Sequence, residues 1–163
     1  GWLNQQYLKS DDAESVARHL EWHLQQAGYD LAKGPKPADL VIALRERAQT
    51  LKEMAEKSAV WFGPLTVYDD ASVAKHLKDA AREPLAQMRT RLAELADWSP
   101  EPIHDVVKTV SEALGIGMGK IAQPLRVAIT GTQVSPDISH TVYLTGRDAA
   151  LARIDAALGM IAG

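Results

Sequence analysis

The residues with the most evident chemistry in this chain are two histidines four apart, a glycine–lysine stretch, and arginines set beside helix ends. His19 and His23 share one face of a helix, the spacing of two metal ligands. The zinc-protease pattern also needs Glu directly after the first His, where Leu20 stands, and no third ligand is near in sequence. The pair reads as a partly exposed helix face, and no metal site is expected. Gly115-x-Gly117-x-Gly119-Lys120 invites comparison with a phosphate loop. That loop needs Gly five residues before the Gly-Lys pair and Ser or Thr after the lysine, but Leu114 and Ile121 occupy those places. No strand precedes it, so the dinucleotide pattern fails too, and the glycines read as a joint between helices. Serines and threonines sit at caps and turns, the five histidines are scattered, and cysteine is absent. No nucleophile–base pair stands out, a thiolate nucleophile and a disulfide framework are excluded, and no catalysis is expected within these residues.

The arginines carry more. Arg45, Arg47, Lys52 and Lys57 surround Thr50-Leu51-Lys52-Glu53, a Thr-x-x-Glu capping box. Arg47 therefore stands at the end of one helix beside the capped start of another. An arginine held there can aim its planar donor fork outward at a base edge. Arg126 has the same merit. Pro124 fixes its backbone, Leu125, Val127 and Ile129 bury the other helix faces, and Ser135-Pro136 makes a second helix start close by. Two helix beginnings so near each other, with an arginine on the first, suit a polyanion or an unpaired base. With the phosphate-loop pattern failed, bases are the better fit. Net charge is −3, yet residues 120–163 carry +1. Any contact with nucleic acid is therefore local and geometric, with no broad basic face.

The elements that position these residues read almost wholly as helix. Trp2–Lys9 form an apolar lead-in, and Asp11 with Glu14 makes a capping box. Val16, Leu20, Leu24 and Ala27 then recur at helical spacing until Gly28. A helix from Ala38 or Asp39 to about Arg47 precedes one from Thr50 to Phe62, stopped by Gly63-Pro64. Asp69-Asp70 and Glu83-Pro84 start two more, the second with Pro84 at its first position. Leu85, Met88, Leu92, Leu95 and Trp98 stripe that helix. Ser99-Pro100-Glu101-Pro102 is the most proline-dense spot, and it divides the chain into subdomains 1–98 and 99–163. Helices follow on Ile103–Leu114, from Pro124 to Gly131, from Ser135-Pro136 to Leu144, and from Arg147 to the end. Strand signals are confined to Leu65–Tyr68 and Val142–Leu144, too short for a sheet. The fold class is all-α, of about ten short helices in two packed subdomains. No apolar run reaches the 18 residues a membrane span needs. The start, Gly1-Trp2-Leu3-Asn4 without Met, fits a piece of a longer protein.

Three segments together resemble the anticodon-binding half of bacterial glutamyl-tRNA synthetases. They are Trp2-Leu3-Asn4-Gln5-Gln6-Tyr7, Arg47-x-x-Thr50-Leu51-Lys52-Glu53, and Gly119-Lys120-Ile121-Ala122-Gln123-Pro124-Leu125-Arg126-Val127-Ala128-Ile129-Thr130-Gly131 with Ser135-Pro136. Leu144–Ile154 looks like that family's last helix, so the resemblance runs through the whole chain in order. It implies an α-helical cage of two subdomains behind a Rossmann-type catalytic body, gripping the anticodon loop of glutamate tRNA. It implies that Arg47 faces the third anticodon base, and that Arg126 lies against the first two with Ser135, Pro136 and Ile138. Arg45, Thr50, Lys52, Lys120 and Gln123 are the supporting residues. The family's His-Ile-Gly-His-like and Lys-Met-Ser-Lys-Ser-like signatures are absent. ATP, magnesium and glutamate would then belong to an N-terminal catalytic domain outside these residues, and this chain alone would aminoacylate nothing. A cytoplasmic monomer is the implied setting. The competing reading is a helical protein-interaction domain with no RNA role, supported by its helical stripes and slight acidity.

Overall fold

The computed structural model of the chain describes residues 12–162. The expected lead-in at Trp2–Lys9 and the Asp11 half of the first capping box lie outside them. The described residues form nine α-helices and two 3-10 turns, with no strand. The chain divides into two compact units, Gly1–Pro64 and Leu65–Gly163.

The first unit is built on α1, Ala13–Gln26, which packs against α2, Pro37–Leu44, and α3, Leu51–Lys57. Val16, Leu20 and Leu24 recur every fourth residue, so all three fall on one face, and all are fully buried. Burying a leucine side chain contributes about 1.5–3 kcal/mol, which makes this stripe the main support of the helix. After α1, the Gly28 amide donates to Gln25 and the Tyr29 amide to Leu24, the paired bonds that close a helix end. Helix α2 starts one residue before the sequence reading, at Pro37, and stops at Leu44, three short of Arg47. The expected run to Phe62 is instead α3 followed by a 3-10 turn, Ala59–Trp61.

The second unit holds α4 (Asp70–His76), α5 (Asp79–Ala93), α6 (Pro100–Leu114), α7 (Met118–Thr130), α8 (Ile138–Thr145) and α9 (Arg147–Ala162). Helix α7 is its centre. It packs against each of the other five, and eight of its residues between Ile121 and Thr130 are buried. Leu85, Met88 and Leu92 of α5, and Ile103, Val107 and Val110 of α6, complete the core. Two arginines lock the frame. Arg147 donates to the carbonyls of Leu92, Ala93 and Leu95 at the end of α5 and lies over the Trp98 ring. Arg153 is buried and donates to the Ile129 carbonyl at 2.9 Å. Burial pushes its guanidinium below the ordinary value, with Tyr68 acting the other way, though an arginine stays charged throughout.

Two proline-marked helix starts differ from the sequence reading, for one reason. Proline marks a first turn only when nothing upstream is already helical. Pro84 lies inside α5, which begins at Asp79, and Pro124 lies inside α7, which begins at Met118. An interior proline costs about 3 kcal/mol in lost bonding and ring crowding; in α7 the long buried face offsets it. Ser135-Pro136 precedes α8 and is not its start, since Asp137 is the cap. Proline does start a helix at Pro37 and at Pro100, and the latter lies in the dense stretch. The Trp98/Ser99 boundary read from that stretch lies inside the second unit, between α5 and α6, which pack on each other. Of the two strand signals, Leu65–Tyr68 is irregular and Val142–Leu144 is helical.

Candidate nucleic-acid interface

Helix α7 aims Arg126 at the loop that follows it. Its other faces are committed to the core by Leu125, Val127, Ala128 and Ile129, so Arg126 emerges half-buried on the one side left. The Arg126 Nε donates to the Ser135 hydroxyl at 2.7 Å, and Nη2 reaches the Pro136 carbonyl at 3.5 Å. The Ser135 hydroxyl donates to the Pro136 carbonyl at 2.8 Å, and its Oγ also lies 3.0 Å from Thr141 Oγ1. Thr141 Oγ1 in turn lies 3.0 Å from the carbonyls of both Pro136 and Asp137. A charged donor thus opens a chain of hydroxyls ending on backbone carbonyls, a pattern that polarises each bond in it.

The loop between α7 and α8 is built from side-chain bonds to its own backbone. Thr130 Oγ1 donates to the Arg126 carbonyl at 2.8 Å or to that of Thr132 at 3.0 Å, and Thr132 Oγ1 accepts from the Val134 amide at 2.9 Å. Gly131 turns the chain at φ +81°, a conformation that L side chains rarely adopt. Val134 is left 72% exposed, an apolar residue directly before Ser135. Asp137 caps α8 by accepting from the Ser139 amide and hydroxyl and from His140. Partial burial works to raise its carboxyl, but the bonds from Ser139 and His140, with the His140 charge, hold it below the ordinary carboxylate range.

Arg47 and its supporting residues Arg45, Thr50 and Lys52 lie in the first unit. Arg47 is exposed on the turn after α2, its amide bonded to the Leu44 carbonyl at 2.8 Å. Three residues on, Thr50 Oγ1 accepts from the Glu53 amide at 3.0 Å, so the first half of the capping box is formed. Its second half is displaced by one residue: Glu53 accepts from the Gln49 amide at 3.2 Å and not from that of Thr50. Arg45 is half-buried and Lys52 exposed. Lys52 also lines a cavity of about 410 Å³ with Trp22, His23, Gln26, Ala27, Ala55 and Glu56.

Of the residues named from the sequence, Arg126, Ser135 and Pro136 meet directly. Ile138 opens α8 at 6% exposure as part of the core, so it sets where α8 begins. Lys120 and Gln123 precede Arg126 on α7 at three-residue spacing, which places them on neighbouring faces. Lys120 is exposed, while the Gln123 Oε1 is buried with no hydrogen-bond partner. Thr141 was missed. A threonine inside a short apolar helix commonly bonds back to the carbonyl four residues before it, and that was the available signal. Among the described residues no three His, Asp or Glu side chains gather as a metal site. His19 bonds the Ser15 carbonyl one turn back. The Gly115–Lys120 joint is a left-handed cap on α6 followed by the start of α7. No strand enters it among the described residues. No described helix is long and apolar enough to cross a membrane.

An arginine held by its own side-chain bonds beside a loop, on an all-helical domain, is an arrangement suited to reading exposed bases. In agreement, a family profile described as "Anticodon binding domain" matches residues 13–158, and the chain belongs to that family. Its relatives specify more. It is 59% identical to the glutamate–tRNA ligase of Xylella fastidiosa strain M12 and 61% identical to that of Xanthomonas campestris pv. campestris strain B100, each over 97% of this chain and 34% of the relative. A further glutamate–tRNA ligase, from Stenotrophomonas maltophilia strain R551-3, is 58% identical over 99% of the chain and 35% of the relative. The chain thus spans about a third of the length of these relatives. Solved structures of similar fold include a glutamate tRNA ligase from Elizabethkingia meningosepticum, at TM-score 0.86 and 23% identity, covering 98% of this chain and 32% of that one. A second, glutamate-tRNA synthetase from Elizabethkingia anophelis, has TM-score 0.82 and 24% identity over 97% and 30%. At such identities these two bear on fold alone.

Proposed function

We propose that this chain is the anticodon-reading part of a glutamate–tRNA ligase, and that it grips the anticodon loop of glutamate tRNA. The observation that carries the reading is the Arg126–Ser135 bond. Loop bases are splayed from the stack and are read on their edges by rigid donors with apolar platforms beside them. Ser135 and the Pro136 carbonyl set the plane of the Arg126 guanidinium before any base arrives, which lowers the ordering cost of binding. Arg126 and Ser135 then meet the first two anticodon bases, with Val134 as the exposed apolar neighbour and Pro136 and Ile138 as the buried frame. Arg47 meets the third base from its turn, supported by Arg45 and the Thr50 cap. Lys52 and Lys120 supply phosphate contacts, and Gln123 backs Arg126 along α7. Attachment of glutamate, with ATP and magnesium, belongs to an N-terminal catalytic domain joined to this one in a cytoplasmic, monomeric enzyme.

The test is a binding titration of the chain with glutamate tRNA and with the same tRNA altered at the anticodon, at one salt concentration. Discrimination at fixed salt reports base readout, whereas a steep loss of both affinities with salt reports phosphate contacts. The expected result is tighter binding of the unaltered tRNA. Equal binding of the two, or none at moderate salt, overturns the reading.

A further inference from the structure

Ser135 owes its place to the α7–α8 loop, and that loop is held from outside by the segment 65–76 at two points. The first is backbone. The Asp69 amide donates to the Gly131 carbonyl at 2.8 Å. The approach is so close that a Cβ at Gly131 would lie 2.5 Å from the Val67 carbonyl oxygen. The second is a pair of side chains 57 positions apart. His76, the last residue of α4, places Nε2 at 2.8 Å from Gln133 Oε1. Helix α4 itself packs on α7, the helix that carries Arg126. Gly131 and Gln133 are thus both tied to one neighbouring segment, and Ser135 follows two residues later.

We infer that His76 is a positioning residue for the Arg126–Ser135 site, acting through Gln133 and touching no base itself. The inference rests on the anticodon reading above. The bond between His76 and Gln133 lies at the surface, so it contributes little to global stability. Its effect is local. With it, the loop offers the Ser135 hydroxyl to Arg126 Nε in one place. Without it, the loop samples more conformations, and a base must order the loop as well as bind. A glutamine at position 76 carries its amide nitrogen at about the place of the imidazole Nε2, so it can donate to the same oxygen. Alanine cannot.

The experiment measures the affinity of the chain for glutamate tRNA and for the same tRNA with the first two anticodon bases changed, together with thermal midpoints. The variants are His76→Ala, His76→Gln, Gln133→Ala and the double alanine. His76→Ala is expected to lower the ratio of the two affinities by about two- to ten-fold, with the midpoint unchanged. Gln133→Ala approaches the same bond from the other side and is expected to match it. The double variant adds no further loss, because one bond is lost only once. His76→Gln restores the ratio. Wild-type discrimination in both single alanine variants overturns the inference and leaves the anticodon reading standing. Absence of discrimination in the wild type overturns both.

Discussion

Arg126 and Arg47 are the two arginines assigned to bases, and the fold holds them in different ways. Arg126 rises from the most buried helix of its unit and is bonded through its own side chain to Ser135 and Pro136. Arg47 is exposed on a turn, and what is fixed there is the backbone: its amide on Leu44 and the Thr50 cap three residues on. The first is a side chain set in advance; the second is an exposed side chain on a well-defined turn. A pre-set donor fork loses little freedom on binding and favours one base edge. A fork that is not set in advance loses more freedom and gives part of its gain back as entropy.

That contrast predicts a ranking. Arg126→Ala is expected to cost about 1–3 kcal/mol of tRNA binding, the range of a good base-edge contact, and the loss depends on the first two anticodon bases. Arg126→Lys does not rescue it, since an ammonium lacks the Nε donor and the planar fork. Competition binding with anticodon-altered tRNAs measures both variants. Arg47→Ala is expected near the lower end of the same range, about 1 kcal/mol, and sensitive only to the third base. If it equals Arg126→Ala, prior anchoring carries no advantage and the contrast fails.

The supporting frames are compared next. Thr50→Ala removes a cap whose loss typically costs about 1 kcal/mol of stability, measured by denaturant unfolding. Thr141→Val keeps the shape of the side chain and removes one link of the Arg126–Ser135 chain. It is expected to cost about 0.5–1.5 kcal/mol of stability and, unlike Thr50→Ala, to reduce discrimination at the first two anticodon bases. If Thr141→Val leaves that discrimination intact, the hydroxyl chain is a stability feature only.

The Thr50 cap was legible because it is local: a hydroxyl and an amide three residues apart, within one turn. The apolar stripes of α1 and α5 were legible by their period, and Gly131 as a stop. What could not be read is the loop. Ser135 meets Arg126 only because Gly131 reverses the chain and the Thr130 and Thr132 hydroxyls fold it back. The His76–Gln133 contact spans 57 positions and leaves no periodic trace. The prolines misled for a related reason. Pro124 and Pro84 satisfy the local rule for a helix start, but the buried faces running past them extend both helices upstream. The same limit applies to the site: Arg126 and Ser135 could be named, while the bond that makes them one unit depended on tertiary structure.

The smallest effect belongs to the cap of α8, and it separates the two frames by charge. Thr50 caps α3 with a neutral hydroxyl, whereas Asp137 caps α8 with a carboxylate. Burial opposes that charge, but the Ser139 and His140 bonds more than compensate, so the folded-state pKa lies below the ordinary value. A carboxyl lowered in the folded state contributes stability above its unfolded pKa and loses that contribution as pH falls through the folded one. Asp137 is 60% exposed as a side chain, so solvent screens the effect. Asparagine is itself a good cap, so Asp137→Asn keeps the hydrogen-bond geometry and removes only the charge. The variant is expected to melt slightly below wild type at neutral pH, and the gap to close as pH drops through and below the ordinary carboxylate range. Thermal midpoints of both proteins from pH 7 downward measure it. A gap that stays constant with pH would mean that the cap of α8 acts, like Thr50, through its hydrogen bonds alone.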